Sequence, residues 1–198
     1  MLLIGASLLI RTFVGLRAAD PGIDPRNVLT FETPLGNAFA KTATVDRLSA
    51  QACRRIEGLP GVEAAASAVV LPLTNGIDLP INIPGRPTPE GSKWNGDEQW
   101  RSVSPHYFQV FRIPVVRGRG FRDADVANSS PVMVINESFA KKYWPNADPV
   151  GQVLIIGRGL GEEFNDPPRE IVGVVRSVRE VGLRDGEVPV MYVPQSQQ

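Results

Sequence analysis

The chain of 198 residues has a hydrophobic fraction of 42%, which is enough to form the core of one large domain or two small ones. Lys+Arg and Asp+Glu both total 21, and this zero net charge argues against a nucleic-acid binder, which carries a basic excess on one face. Cys53 is the single cysteine, so a disulfide within the chain is excluded. Its helical surroundings predict a small, buried or half-buried side chain.

The first residues are apolar and uncharged up to Ile10, and Arg11 and Arg17 follow. A membrane-spanning helix needs about 20 apolar residues, and a signal peptide carries positive charge before its apolar run. We therefore expect residues 1–19 to be the outer end of a transmembrane helix whose first half is missing. The alternative is a buried amphipathic helix of a soluble protein. The positive-inside tendency alone would place both arginines in the cytoplasm.

The next segments predict a strand–helix–strand unit. Residues 27–35 have the apolar pattern of a strand, and residues 62–70 form a second strand of small residues. Between them, a helix capped by Thr44 and running to about Gly58 is predicted, because its apolar residues fall three or four positions apart and form one stripe. These residues are Val45, Leu48, Ala52 and Ile56.

The remainder predicts short strands separated by turns. Residues 71–96 should be loops around a short hairpin near residues 81–83, followed by a strand at 99–103. Ser104 is the predicted N-cap and Pro105 the first residue of a short helix, which has an aromatic core face. Asn136 is predicted to cap a helix over 137–143. Further strands are predicted at residues 131–135, 153–156, 170–175 and 188–193.

No catalytic, cofactor-binding or metal-binding residue is predicted, and the chain is not predicted to be an enzyme. His106 is the only histidine, so a metal site or a histidine-based triad would depend on it alone. A solvated or partly packed helical residue is the favoured interpretation. A second histidine or a cysteine pair would be needed to suggest zinc, and a G-x-S-x-G motif would be needed to place a nucleophilic serine.

Two charged or glycine-rich stretches are candidate binding motifs. Residues 157–161 lack the Lys-Ser/Thr of a phosphate-binding loop, and Glu162 and Glu163 would repel phosphate, so a hairpin loop without nucleotide is expected. Residues 117–120 should form a turn whose arginines pair locally with Asp123 or Asp125, rather than with a partner. The adjacent acids Asp97 and Glu98 should diverge and form no carboxylate pair.

Short motifs in a fixed order resemble the MacB-like periplasmic core domain of ABC-transporter permeases with an FtsX-like membrane region. Each motif is weak alone, but their order and spacing are specific, and their style is similar to the duplicated permeases of acidobacteria. They lie at residues 20–30 (DPGIDPRNVLT), 59–65 (LPGVEAA), 103–108 (VSPHYF), 113–121 (IPVVRGRGF), 134–145 (VINESFAKKYWP), 148–152 (DPVGQ), 171–179 (IVGVVRSVR) and 190–194 (VMYVP).

The resemblance implies an α+β fold. A mixed-sheet porter-like part, built on strand–helix–strand, would carry a smaller inserted strand-rich α/β part. We expect the porter-like part at residues 20–100, the inserted part at 101–176 and a return strand to the porter part at 177–198. Relatives continue with further strands, so the porter part is expected to be incomplete, and its unpaired sheet edge should promote self-association.

The resemblance also implies a function. The chain would be the extracytoplasmic coupling domain of a permease in the bacterial cytoplasmic membrane, passing ATP-driven transmembrane movement to export cargo or a periplasmic partner. Implied partners are a cytoplasmic ABC ATPase subunit, a second permease half or subunit and a periplasmic adaptor, without cofactor or nucleic acid. The alternatives are a sensor or binding module without transport and a hydrolase on an unrelated fold.

Overall fold

Four α-helices and a short 3-10 helix are present in the computed structural model, which describes residues 2–18, 20–33, 42–161, 164 and 166–198. The α-helices are α1 (Leu2–Ala18), α2 (Thr42–Glu57), α3 (Tyr107–Val110) and α4 (Glu137–Tyr143), and the 3-10 helix is Gln195–Gln197. The helices predicted up to Gly58 and after Asn136 are thereby confirmed, but α2 begins at Thr42, so Thr44 lies inside it and is not its cap. Asn136 caps α4 as predicted, since its side-chain oxygen accepts a hydrogen bond from the Phe139 N–H.

Seven strands form one mixed sheet, which confirms the α+β class. They are β1 (Ile77–Asn82), β2 (Gly96–Val103), β3 (Val115–Gly118), β4 (Val132–Asn136), β5 (Val153–Ile156), β6 (Arg169–Val175) and β7 (Val190–Pro194). Their order is β3-β6-β4-β7-β2-β1-β5. The pairs β2–β7 and β4–β6 are parallel, and the other pairs are antiparallel.

The sheet closes on itself through β6. Residues 169 and 170 of β6 pair with β5, and residues 173–175 pair with β3 on the same edge. Six strands therefore form a ring, β6-β4-β7-β2-β1-β5, while β3 is attached outside it. Closure of the ring leaves its strands without free edges. The outer edge of β3 is therefore the edge of this sheet that has no partner strand.

Both faces of the central strands are buried, because their side chains alternate between two cores. Met133 and Ile135 of β4 point to one core, which includes α4 and strands β1 and β5. Val132 and Val134 point to the other core, which includes the aromatic face of α3. That face was predicted from the sequence and consists of Tyr107, Phe108 and Phe111, all buried.

The two strands predicted around α2 are wrong in the part of the chain that the structure describes. Residues 27–33 form no strand, and residues 62–70 contain only an isolated bridge between Ala68 and Val103; positions 34 and 35 lie outside the described residues. The second segment makes two backbone hydrogen bonds with the end of β2 and the residue after it, from Val69 N to Ser102 O and from Ser104 N to Ser67 O. The sheet edge expected from these two segments therefore has no basis in the described residues.

Ser104 is not the N-cap of α3. His106 occupies that position, and its side chain makes no capping hydrogen bond, whereas the Ser104 hydroxyl accepts a hydrogen bond from the Ser67 N–H at 2.9 Å. The prediction failed because the hydroxyl has a competing backbone donor from a distant segment. Likewise, Arg117 and Gly118 were predicted as part of a turn and instead end strand β3.

The predicted boundary between residues 100 and 101 crosses β2. One sheet holds β1 and β2 together with β3 to β6, so the predicted porter-like and inserted parts both contribute strands to it. The division at residues 20–100, 101–176 and 177–198 remains a prediction about the arrangement of the family.

Helix α1 presents apolar side chains to solvent. Leu8, Leu9, Ile10 and Phe13 are 58%, 73%, 63% and 60% exposed, and no side chain described between residues 5 and 15 is buried. The alternative of a buried amphipathic helix is therefore wrong for these residues. No helix in the described part of the chain has both the length and the apolar character to cross a membrane.

Candidate functional site

Residues 20–28 join α1 to the sheet and lie against it at a close backbone contact. Gly22 has φ +79°, and a Cβ atom there would lie 3.0 Å from both the Ser177 carbonyl oxygen and the Val178 Cα. The Gly22 N–H donates to the Asp20 carboxylate at 2.9 Å, which holds the turn. Only glycine combines this left-handed conformation with such a close approach.

Arg179, in the loop after β6, fastens the same turn. Its backbone N–H donates to the Pro21 carbonyl at 3.0 Å, and its Nε donates to the Asp20 carbonyl at 3.0 Å. Its Nη1 donates to the carbonyl oxygens of Leu183 and Asp185 at 3.0 and 2.5 Å. One arginine thus orders its own loop and binds the segment that follows α1.

Asp24 makes a second attachment, to the end of α3. Its N–H donates to the Phe111 carbonyl at 3.2 Å, and its carboxylate accepts hydrogen bonds from Arg26 and from Arg112 Nη1, the latter at 2.6 Å. These hydrogen bonds, first from Arg26 and then from Arg112, hold the pKa of Asp24 well below its usual range. Ile23 packs against the same core face as α3.

A buried ionic cluster lies next to Arg179. Glu180 Oε2 is 3.3 Å from Arg101 Nε, and neither side chain is exposed. The Tyr192 hydroxyl donates to Glu180 Oε1 at 2.5 Å, and Arg101 Nη2 donates to the Thr74 carbonyl at 3.3 Å. Burial raises the pKa of Glu180, while the hydrogen bond from Tyr192 and the charge of Arg101 oppose that rise. The cluster ties the loop after β6 to β2 and β7.

The segment that follows α1 is fixed at two places. Residues 20–24 are held on one side by the loop after β6 and on the other by the end of α3. Val178 and Phe111, which adjoin these two contacts, belong to one buried core. We call residues 20–24, Phe111, Arg112 and 177–180 the attachment site.

His106 joins α2 to the start of α3. Its Nδ1 lies 2.6 Å from Glu57 Oε1 of α2, and its side chain is 42% exposed. Burial would raise the pKa of Glu57, but hydrogen bonds from the Ala65 N–H and His106 lower it. Burial raises the pKa of the half-buried Cys53. The described residues hold no cluster of three or more His, Cys, Asp or Glu side chains suited to a metal.

The glycine run and the paired acids have structural roles. Residues 157–161 follow β5, which pairs antiparallel with β6, so the predicted hairpin loop is confirmed; Glu162 and Glu163 lie outside the described residues. Asp97 is exposed, whereas Glu98 is buried and accepts hydrogen bonds from Lys142 at 2.6 Å and from the Tyr143 hydroxyl. The predicted divergence of the two acids is confirmed.

The predicted local charge pairing in the Arg117–Gly120 stretch is also confirmed for one arginine. Arg119 binds the carboxylate of Asp125 through two hydrogen bonds, of 2.7 and 3.0 Å. Burial would raise the pKa of Asp125, and the hydrogen bond from Arg119 helps to lower it. Asp123 is exposed. Arg117 approaches Asp148 only at 3.9 Å, and both are largely exposed.

No residue of the attachment site is predicted as functional from the sequence alone. Asp24 lies in the motif at residues 20–30, and Arg179 ends the motif at 171–179, so both are visible as parts of the family resemblance. The contacts of the attachment site join residues far apart in the chain, and no spacing rule predicts such pairs. A glycine in a turn motif indicates a backbone position with positive φ, and Gly22 has this conformation.

Comparison with known proteins places these features in a family. Residues 10–198 match the MacB-like periplasmic core domain. A 63-residue stretch is 35% identical to the "Probable syringafactin export ATP-binding/permease protein SyfD" of Pseudomonas syringae pv. tomato, covering 31% of this chain and 9% of that protein. A 94-residue stretch is 31% identical to the "Macrolide export ATP-binding/permease protein MacB" of Aggregatibacter actinomycetemcomitans, covering 48% and 13%.

The matched stretches are thus a small part of the length of these relatives. Among solved structures, the periplasmic region of MacB from Actinobacillus actinomycetemcomitans superposes with a TM-score of 0.48 at 20% identity, over 75% of this chain and 56% of that one. The family match covers nearly the whole chain, including the attachment site and every strand of the sheet. The chain belongs to the MacB-like periplasmic core domain family.

Proposed function

We propose that the chain is an extracytoplasmic coupling domain, which passes ATP-driven movement of transmembrane helices to export cargo or to a periplasmic partner. The observation that carries this proposal is the attachment site. The turn after α1 is bound within five residues by Arg179, by Phe111 and by Arg112.

The buried cluster extends the path into the sheet. Arg179 is followed by Glu180, whose ion pair with Arg101 reaches β2 and whose hydrogen bond from Tyr192 reaches β7. The loop after β6 therefore contacts the turn after α1 on one side and two central strands on the other. Such a chain of packed and hydrogen-bonded groups is the physical means by which a displacement is carried between distant sites.

The proposal includes a location and partners. The domain would lie on the periplasmic or extracellular side of the bacterial cytoplasmic membrane, with α1 at the membrane. The names of the relatives join an ATP-binding part and a permease part in export proteins. We therefore propose a cytoplasmic ABC ATPase as the source of movement, together with a second permease half or subunit and a periplasmic adaptor.

The test uses the full-length permease with its ATPase in lipid nanodiscs. A Cys53→Ser background with spin labels at Asn128→Cys, an exposed position, reports distances between two permease halves by pulsed electron paramagnetic resonance. We expect the distance to change between the nucleotide-free and the vanadate-trapped state. Arg179→Ala should reduce this change while ATP hydrolysis continues, and Arg184→Ala, at an exposed site in the same loop, should behave as the parent.

A distance that does not respond to nucleotide would refute the coupling role. Combined with continued ATP hydrolysis, that outcome would favour the alternative of a sensor or binding module, whose domain has no need to move with the ATPase cycle. A full response in Arg179→Ala would show that the movement reaches the domain without the attachment site.

A further inference from the structure

Strand β3 is an open edge beside two grooves. Among the strands that the structure describes, β3 pairs with β6 alone. All four of its residues are exposed, including Val115 at 42% and Val116 at 40%. An edge strand offers a row of free N–H and C=O groups, to which an extended segment of another chain can add.

The two grooves lie on the two sides of this strand. A groove of about 450 Å³ is lined by Val115 together with α3 residues, among them Phe108 and Gln109. A second groove of about 320 Å³ is lined by Val116 together with Ala140 and Trp144 of the α4 region. Because side chains of an extended segment alternate between two faces, a strand added to β3 would place successive side chains over one groove and then the other.

The charge of the lining identifies the class of segment that fits. The first groove contains Arg112, and the second contains Arg117 and Lys141 against a single acid, Glu137. Glu137 is partly committed, since its Oε2 accepts a hydrogen bond from the Ser177 N–H at 3.3 Å. Arg117 is 55% exposed and reaches Asp148 only at 3.9 Å, so its guanidinium retains donors for another carboxylate.

A second copy of this chain fits the edge poorly. An antiparallel pair centred on β3 would bring the Arg117 side chains of both copies close together, and like charges on neighbouring strand positions destabilise pairing. The register shift between Val115 and Arg117 also interrupts the flat ladder that self-pairing favours. An acidic segment avoids the charge repulsion, since its carboxylates would attract the Arg117 guanidinium.

We propose that the outer edge of β3 is a docking site for an extended segment of a partner protein in which apolar and acidic residues alternate. The partner backbone hydrogen-bonds to β3, its carboxylates lie over the second groove near Arg117 and Lys141, and its apolar side chains enter the first groove. This site is separate from the attachment site except for Arg112, which lines the first groove and also binds Asp24.

The test uses the 198-residue chain and a short fluorescein-labelled peptide of alternating valine and glutamate. We expect saturable binding by fluorescence anisotropy and shifts of the Val115–Gly118 amide signals in NMR spectra. The double reversal Arg117→Glu/Lys141→Glu should weaken binding about tenfold, since each exposed ion pair contributes up to about 1 kcal/mol and 1.4 kcal/mol is tenfold. Arg158→Glu, an exposed reversal in the β5–β6 loop, should leave binding unchanged.

Three outcomes would overturn the proposal. The first is equal binding of a matched peptide with lysine in place of glutamate, and the second is absence of binding at about millimolar peptide, the weak end of measured affinities. The third is a dimer of the chain that is lost in Val116→Lys while no peptide binds, which would make a second copy the occupant. Unchanged melting temperatures of the surface variants establish that they fold.

Discussion

Arg101 and Glu180 form an ion pair whose side chains are completely shielded from solvent, with Nε and Oε2 3.3 Å apart. The two residues are 79 positions apart in the chain, and their contact fixes the loop after β6 on strand β2. Gly76 leaves room for it, because a Cβ atom there would collide with the Arg101 guanidinium. Burial of such a pair costs free energy because both charges lose their water. Removal of one partner is strongly destabilising, because the other charge then stays buried without a partner.

Glu180→Gln is expected to lower the free energy of unfolding by about 3 kcal/mol, because it leaves the buried Arg101 charge without its partner. Urea denaturation followed by circular dichroism measures the change. The control is Glu187→Gln, which removes an exposed carboxylate from the same loop and should change stability by less than about 0.5 kcal/mol. Equal effects of the two substitutions would contradict the structural importance of the pair.

Gly22→Ala should destabilise the protein more than Gly85→Ala. Both glycines have positive φ, +79° and +77°, but a Cβ atom at position 85 meets no atom within 4 Å. The left-handed backbone costs each alanine about 1–2 kcal/mol, and crowding against Ser177 and Val178 should add about 1 kcal/mol or more at position 22. Paired urea titrations measure the difference, and identical losses would show that the close approach is not tight.

Asp24 should make stability sensitive to acid. Its folded-state pKa lies below the ordinary 3.8 because Arg26 and Arg112 hydrogen-bond to the carboxylate. The stabilisation is therefore present above pH 3.8 and is lost as the pH falls from there through the lowered pKa. Asp24→Asn should melt below the parent at neutral pH, and the two melting temperatures should converge as the pH falls below 3.8. A gap that is independent of pH would contradict this assignment.

Asn136→Ala is expected to cost about 3 kcal/mol, since it removes a helix cap and leaves buried polar groups unpaired. The Asn136 side chain is fully buried, accepts hydrogen bonds from the N–H groups of Phe139 and Val190 at 2.9 and 3.0 Å, and donates to the Val188 carbonyl at 2.7 Å. Urea denaturation measures the loss. Asn128→Ala, at an exposed site, should be neutral.

Removal of residues 1–14 should shift the melting temperature by less than about 2 °C, because exposed apolar side chains on α1 contribute little to the core. Leu9 is 73% exposed there, and Leu29 and Phe31 in the following segment are 87% and 68% exposed. These side chains, rather than a sheet edge, give reason to expect self-association of the chain. Self-association, measured by light scattering, should decrease after the deletion and decrease further when Leu29→Ser/Phe31→Ser is added. A large loss of stability after the deletion would instead show that α1 is part of the core.

Local pattern alone determined much of the secondary structure. Residues 131–135, 153–156, 170–175 and 188–193 were predicted as strands and match β4 to β7 within about two residues. The cap at Asn136 was predicted because it depends on hydrogen bonds within one turn of the helix. The order of the motifs also determined the family, since their spacing extends over nearly the whole chain.

Tertiary structure decided which apolar segments became strands. Residues 27–33 and 62–70 have strand-like composition, but a strand exists only where its backbone groups pair with another strand, and strand preference depends on that context. In contrast, Arg117 and Gly118 were predicted as part of a turn but form the end of β3, because β6 offers them a free edge. The attachment of Gly22 to Ser177 and of Glu180 to Arg101 likewise joins residues distant in sequence, and only the folded chain brings them within hydrogen-bonding and van der Waals distance.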